Sequence, residues 1–390
     1  MKALFEKEIE SAHSKITLFF RSLLHFLLML HTHHSFEASL KLSRILRALI
    51  RGERLLKTHW LGKFDYINPL KIKNMRIKEL VTSHSTKEEY NYNPSVKKSD
   101  DIFEVYWRIS NYAIPLQSTS SLGESNQKYD SEENFEKIAY GTFRFEKDTS
   151  KIKILNQKTL EIRNVYKFSS LTRRKEKLKG NFYFTDPRLH SIKSKFLTCV
   201  VHYKKNSSDY DGLYIGMAIV NRIKNSAVLI NHIDNSSIQK NWVVAEEQND
   251  NLIMLKSTHP LVLEHIEIDS GQCKRNETIP NSQNIAFNLN GGSPFVLVDD
   301  FYMRVARLKF SIRDIGRARL NVLVKHDLNF REISRSRAFV FRETSIECCH
   351  GLDYDGDNFY FSWGENDRKM YFGSCTKKDL IDWFESNLWK

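Results

Sequence analysis

From residue 62 onward, the sequence is a series of short apolar segments separated by turn-forming residues. The segments are rich in Val, Ile, Phe and Tyr, whereas Asn, Asp, Gly, Ser and Lys cluster between them. Many short strands with few long helical patterns are typical of an all-β sandwich, barrel or propeller. The clearest predicted strands cover residues 102–109, 152–155, 196–203, 213–220, 227–230, 252–255, 295–298, 320–324 and 359–363.

The N-terminal residues 1–61 differ from the rest and are predicted to be a basic helical extension. The apolar stretch 16–30 is interrupted by Arg21 and His25, and residues 39–56 have one apolar and one arginine-rich helical face. A central arginine is costly in a bilayer, so a packed or interfacial amphipathic helix is favoured over a signal anchor. Such a helix can make a peripheral contact with acidic lipid or with a partner protein.

The positive charge of the chain is concentrated near its N-terminus. Residues 1–80 contain 15 Lys and Arg against 7 Asp and Glu, which is +8 of the total of +13. The remaining 310 residues therefore share only +5. We accordingly expect no nucleic-acid partner for the large domain, residues 62–390.

The cysteines indicate a reducing compartment and no metal site. The five cysteines form no Cys-x-x-Cys pair, which is typical of free thiols and favours a cytoplasmic over a secreted protein. We find no P-loop or dinucleotide fingerprint and expect no cofactor. The acidic run 353–357 lacks the closing glutamate of a calcium loop and is predicted to be a hairpin turn. Residues 377–389 are predicted to form a C-terminal helix.

Several short polar motifs begin or end the predicted strands, where a propeller places the residues of its central channel. Their residue types are not those that strand packing requires. They are, in chain order, Asn93-Pro94-Ser95, Val105-Tyr106-Trp107-Arg108, Thr185-Asp186-Pro187-Arg188-Leu189, Lys240-Asn241-Trp242 with Glu246-Glu247, Ser257-Thr258-His259-Pro260, Gly291-Gly292-Ser293-Pro294, His350-Gly351-Leu352 and Trp363-Gly364-Glu365-Asn366-Asp367.

Taken in order, this series resembles glycoside hydrolase family 130, the mannoside phosphorylases, and their relatives among five-bladed propellers, including inverting mannosyltransferase-like proteins. The resemblance covers the chain from about Asn93 to Lys390. It implies an all-β, five-bladed β-propeller with an N-terminal α-helical extension and a C-terminal helix. It also implies inverting glycosyl transfer or cleavage at the channel, with an oligosaccharide, sugar phosphate or nucleotide sugar as substrate.

The resemblance also assigns roles to individual residues. The family's Glu-Asp-Pro-Arg motif is similar to the segment that contains Asp186, which makes Asp186 the expected general acid at the glycosidic oxygen. An inverting transfer needs such a carboxyl group while a separate nucleophile attacks the opposite face of the sugar. The resemblance implies that the substrate-binding residues are Arg108, Arg188, Lys240, Asn241, Glu247, His259 and Asp367.

Three departures from the family pattern argue against phosphorolysis. Thr185 replaces the acidic residue before the aspartate, the second blade offers only Arg222, and Arg307 ends a segment that usually closes in Tyr-His. They favour a transferase or a relative that has lost catalysis. The alternative function is a non-catalytic sugar-binding or interaction propeller that docks through the basic N-terminal helices. Nucleic-acid binding through those helices is the weakest hypothesis.

Overall fold

A computed structural model describes most of the predicted β domain. The described residues are 68–69, 72–83, 89–111, 136–146, 148–169, 171–191, 194–204, 213–230, 241–258, 260–279, 289–312, 316–342 and 347–389. The predicted N-terminal extension and its boundary at residue 61 lie outside these ranges. Within them, no helix has the length and apolar character needed to cross a membrane.

The described ranges contain a long succession of strands that ends in one helix. The first half consists of β1 (Asn68–Pro69), β2 (Arg76–Val81), β3 (Tyr90–Ser99), β4 (Ile102–Ser110), β5 (Glu136–Phe143), β6 (Lys151–Lys153), β7 (Leu155–Thr159), β8 (Asn164–Ser169), β9 (Arg174–Lys177), β10 (Phe182–Arg188), β11 (Phe196–Lys204), β12 (Leu213–Asn221) and β13 (Ser226–Leu229). The second half consists of β14 (Val243–Gln248), β15 (Asn251–Thr258), β16 (Leu261–Glu267), β17 (Cys273–Ile279), β18 (Leu289–Asn290), β19 (Val296–Val298), β20 (Phe301–Ile312), β21 (Gly316–His326), β22 (Glu332–Arg335), β23 (Phe339–Val340), β24 (Glu347–Tyr354), β25 (Asn358–Glu365), β26 (Lys369–Thr376) and a helix, α1 (Lys377–Ser386).

These strands form five separate sheets, which are the five blades of a β-propeller. Blade 1 is β3-β4-β5-β7, blade 2 is β10-β11-β12-β13 extended by β8 and β9, and blade 3 is β14-β15-β16-β17. Blade 4 is built on β20 and β21 with β18, β19, β22, β23 and β1 at its margins, and blade 5 is β24-β25-β26-β2-β6. The predicted all-β propeller is confirmed, and the predicted strands lie within these blades.

Blade 5 closes the ring by combining strands from both ends of the described chain. Its three C-terminal strands are completed by β2, which pairs antiparallel with β26 so that Leu80 lies opposite Met370. Blade 5 also contacts blade 1, because the Ser362 hydroxyl accepts from the amide of Val96 at 3.1 Å and donates to the carbonyl of Pro94 at 2.9 Å. These contacts fix the first inner strand, β3, beside the last, β24.

Both faces of a blade are buried, which explains why the strands are apolar on successive residues. On β4, Phe103, Val105 and Trp107 face the core shared with blade 5, whereas Tyr106 faces the core shared with blade 2. Side chains alternate between the two faces of a strand, so a strand buried on both sides needs apolar residues at nearly every position. The blades therefore pack face to face around the central channel.

The C-terminal helix α1 packs against blade 5. Thr376 caps its N-terminus by accepting a hydrogen bond from the amide of Asp379, as a helix start requires. Leu380 and Phe384 are fully buried in the apolar core around β25 and β26. The helix ends at Ser386, and Leu388 instead forms a bridge with Ser336, so the predicted helix is confirmed but three residues shorter.

Candidate functional site

The inner strands of the blades are kinked where the polar motifs lie. Asn93, Asp186, Asn241 and Gly291 have φ values of 54°, 51°, 70° and 55°, the left-handed region that Asn, Asp and Gly tolerate best. In blades 1 and 2, the strand register shifts at these residues. A bulge of this kind redirects a side chain. The kinks consequently bring polar groups from different blades together.

Asp186 lies at the meeting point of blades 1 and 2. Its Oδ1 accepts a hydrogen bond from Asn93 Nδ2 at 2.7 Å and lies 3.4 Å from Arg108 Nη1. Arg108 also pairs with Glu136, whose side chain is 1% exposed, and lies 4.8 Å above the ring of Tyr92. Arg108 is thus held between two carboxylates, and its position determines the charge around Asp186.

The Asp186 carboxyl group is ionised in this environment. Burial alone would raise its pKa, but the guanidinium groups of Arg108 and Arg188 and the hydrogen bond from Asn93 outweigh burial and hold the pKa well below its usual range. A general acid must carry a proton before it reacts. Asp186 can therefore serve as an acid only when the surrounding positive charge is offset.

Arg188 connects blade 2 to blade 4 below Asp186. Its Nε donates to the carbonyl of Gly292 at 3.2 Å and its Nη1 to the carbonyl of Asp186 at 3.4 Å, whereas Nη2 has no partner within the protein. Burial lowers the pKa of Arg188 to about 10, so it stays charged at neutral pH. Gly292 permits this approach, since a Cβ there would lie 1.9 Å from the carbonyl oxygen of Val305.

Two further arginines reach the channel from blade 4. Arg307 Nη2 lies 3.4 Å from Asn241 Oδ1, and its Nη1 lies 3.5 Å from the sulfur of Cys348 on the inner strand of blade 5. Arg319 Nη1 donates to the same sulfur at 3.0 Å. The contacts described for Arg307 include no carboxylate. A buried cation without a carboxylate partner favours the binding of an anion.

His350 completes this region from blade 5. Its Nδ1 is 3.0 Å from the carbonyl of Cys348, and its Nε2 has no partner within the protein. Burial lowers the pKa of His350 well below its usual range, and Arg188 and Arg307 lower it further, so the imidazole is neutral. Asp186 and His350 together with Arg108, Arg188, Arg307 and Arg319 are called the channel site below.

The structure places some of the predicted site residues together and others apart. Asp186, Arg108 and Arg188 are in contact, and Asn241 joins them through Arg307. Asp367 lies in the turn after β25, is 7% exposed and contributes to raising the pKa of Tyr92, for which burial is the largest cause.

The other predicted residues do not belong to the described channel site. Glu247 lies elsewhere, paired with His190 at 2.6 Å. Lys240 and His259 lie outside the described residues. Arg222, the arginine of uncertain alignment, bonds to Glu104 of blade 1 at 2.8 Å.

Several residues of the channel site had no predicted role. Arg307 counted only as a departure from a family pattern, and Arg319, Glu136 and His350 were given no function. A contact such as that of Arg108 with Asp186 spans 78 positions in the sequence. The useful signal was the recurrence of Asn, Asp or Gly at the start of each inner strand, because these residues adopt the left-handed conformation most readily.

The described residues offer no alternative metal chemistry. Among them, no group of three or more His, Cys, Asp or Glu side chains is arranged to hold a metal ion. All five cysteines are free, as expected, so Cys348 and Cys349 do not form a disulfide.

Comparison with known proteins gives similarity at the level of structure alone. No family model and no curated protein matches the sequence. The structure is similar to a β-1,2-mannobiose phosphorylase from Listeria innocua, with a TM-score of 0.49, 12% identity and coverage of 81% of this chain and 100% of that chain. A glycosyl hydrolase from Bacteroides ovatus gives a TM-score of 0.46, 11% identity and coverage of 74% and 85%. A GDP-Man-dependent mannosyltransferase from Leishmania mexicana gives 0.45, 8%, and coverage of 78% and 90%.

These neighbours include mannoside phosphorylases and related glycosidases, and the low identity marks this chain as divergent from them. The strand pairing within the five blades, rather than these similarities, establishes the fold of this protein.

Proposed function

We propose that this protein is carbohydrate-active and that its substrate site is the channel site around Asp186. In this proposal it catalyses inverting, mannoside-type glycosyl transfer or cleavage. The order of the polar motifs along the chain supports the proposal. So does the contact of Asp186 with Arg108 and Arg188, the first three residues that the motif resemblance assigns to the site.

The observation that carries the proposal is a single ionised carboxylate among four arginines. Guanidinium groups bind phosphate and carboxylate through paired, charge-assisted hydrogen bonds. Arg307 and Arg188 each have a buried guanidinium nitrogen without a partner within the protein, as does the His350 imidazole. We therefore expect a substrate that carries an anionic group, such as a sugar phosphate or nucleotide sugar, or inorganic phosphate as the second reactant.

Binding of the anion prepares Asp186 for its role in this proposal. A bound phosphate group offsets the charge of the arginines that hold the Asp186 pKa low. The burial that opposes them then raises the pKa and favours the protonated carboxyl group. Protonated Asp186 then donates to the glycosidic oxygen as the bond breaks, and the nucleophile attacks the opposite face of the sugar. Asp186 is thus an acid only in the presence of the anionic substrate.

A second candidate function is a non-catalytic sugar-binding or interaction propeller. The observation that favours it is the contact of Asp186 with both Asn93 and Arg108, which leaves the carboxylate ionised and engaged. In that case the channel site binds an anionic sugar without turnover.

The test is a screen of sugar 1-phosphates and nucleotide sugars against manno-oligosaccharide acceptors, with product detection by mass spectrometry. Asp186→Asn is the test variant, and Asp300→Asn, at an exposed position, is the matched control. We expect turnover to fall by about 100-fold or more in Asp186→Asn and to be unchanged in Asp300→Asn. Undiminished turnover in Asp186→Asn refutes the role of Asp186, and binding without turnover in the wild type supports the second candidate.

A further inference from the structure

A cavity separate from the channel site lies between blades 2, 3 and 4. Its volume is about 420 Å³. Residues from the end of β10, from β14 and from the segment before β19 surround it. They are His190, Ser191, Ser194, Val244, Ala245, Glu246, Glu247, Asn249 and Phe295.

The cavity lies farther along the inner strands than the channel site. His190 follows Asp186 by four residues, and Glu247 follows Asn241 by six. At a rise of about 3.3 Å per residue, these separations correspond to roughly 10–20 Å. The amide of Phe295 donates to the carbonyl of Val244 at 3.1 Å, which places the segments of blades 3 and 4 at the same level. The cavity is therefore near the opposite end of the channel.

His190 and Glu247 form the polar wall of this cavity. His190 Nε2 is 2.6 Å from Glu247 Oε2, and the side chains are 5% and 27% exposed. The bond from His190 is the largest cause that lowers the pKa of Glu247, and Ser194 also contributes. The second imidazole nitrogen, Nδ1, is buried and has no partner within the protein. A nearly buried imidazole thus lines the cavity with one nitrogen unpaired.

The lining residues define which ligands fit. No lysine or arginine lines the cavity, while Glu246 and Glu247 contribute two carboxylates. Carboxylates only accept hydrogen bonds, so they repel an anion and favour a ligand with several donors. His190 and Ser194 already engage Glu247, which reduces the need for a full positive charge on the ligand. Val244, Ala245 and Phe295 supply an apolar wall.

We propose that this cavity is a second ligand site, which binds the hydroxyl groups of a neutral saccharide unit. Glu247 and Glu246 accept from sugar hydroxyls, and the apolar wall contacts the carbon face of the ring. The site is independent of Asp186 and does not require that the protein be an enzyme. Its ligand is uncharged, in contrast to the anionic ligand proposed for the channel site.

The test measures binding of the methyl glycosides of mannose, glucose, galactose and N-acetylglucosamine by saturation-transfer NMR and calorimetry. We expect at least one to bind the wild-type protein and to lose about tenfold or more in affinity in Glu247→Gln. Glu161→Gln, at a side chain that is 69% exposed, is the matched control and should bind normally. Ala245→Leu fills the cavity without removing a polar group, and it should abolish binding even if Glu247→Gln is poorly folded.

Asp186→Asn separates this proposal from the proposed function. Retention of glycoside binding in Asp186→Asn, with loss in Ala245→Leu, supports a second site whether or not the channel site is catalytic. The proposal is overturned if no glycoside binds or if binding survives both cavity variants. It is also overturned if tetramethylammonium competes with the glycoside for the cavity, because the site then selects a cation.

Discussion

Replacing Arg108 by methionine tests the electrostatic structure of the channel site. Methionine keeps an unbranched side chain but removes the charge shared by Glu136 and Asp186. Arg108 and Glu136 have side chains that are 8% and 1% exposed, so their pair is buried. Removing one partner of a buried ion pair costs about 3–5 kcal/mol, because the remaining charge is left uncompensated. We expect Arg108→Met to lower the free energy of unfolding by about that amount at pH 7.

The pH dependence of this loss identifies its cause. Arg108 depresses the folded-state pKa of Asp186, so the stability from their contact is present above the unfolded pKa of about 3.9 and is lost as pH falls through the folded pKa. The difference between wild type and Arg108→Met should therefore shrink below about pH 4.

The assay is urea unfolding followed by fluorescence at several pH values, with Arg163→Met as the control. Arg163 and Glu161 are a surface pair, 70% and 69% exposed, whose loss should cost about 0–1 kcal/mol. A cost below about 1 kcal/mol for Arg108→Met, or one that is the same at pH 3 and pH 7, would refute this account of the site.

Two further substitutions test local features of the blades. In Gly364→Ala, the new Cβ lies 2.4 Å from Asn93 Oδ1 and 2.6 Å from its amide nitrogen, so Asn93 must move away from Asp186. We expect a loss of about 1–3 kcal/mol by urea unfolding and a higher Asp186 pKa by carboxyl NMR titration, and an unchanged pKa would contradict the role of Asn93. Burial would raise the pKa of Asp355, but hydrogen bonds led by Lys98 lower it to about 2. Asp355→Asn should therefore cost about 1 kcal/mol at pH 7 and progressively less from pH 4 to pH 2, and a cost independent of pH would show that the charge is not responsible.

The sequence predicted the blades well because their apolar segments encode burial locally. Strand β4, for example, is apolar on both faces and was predicted within one residue of its observed end. The run 353–357 was correctly predicted to be a turn, since Asp355 accepts from the amides of Asp357 and Asn358 at 3.1 and 2.8 Å. Closure of the ring by β2 was not predicted, because that pairing joins residues about 290 positions apart.

The candidate site could be predicted only in part. Asp186, Arg108 and Arg188 belong to motifs that a resemblance could identify, and the structure brings them into contact. Arg307 and Arg319 approach the channel through the register of β20 with β21, which no local pattern specifies. Glu247 shares a motif with Asn241, but the length of β14 carries it to the second cavity.

The coupling of anion binding to protonation of Asp186 tests the central claim most directly. Calorimetric titration of mannose 1-phosphate at pH 6, in two buffers of different ionisation enthalpy, measures the protons taken up on binding. We expect greater proton uptake by the wild type than by Asp186→Asn, because the bound phosphate raises the Asp186 pKa while any change in the phosphate itself is common to both. Equal proton uptake by the two proteins would contradict the claim that Asp186 gains its proton from an anion bound beside it.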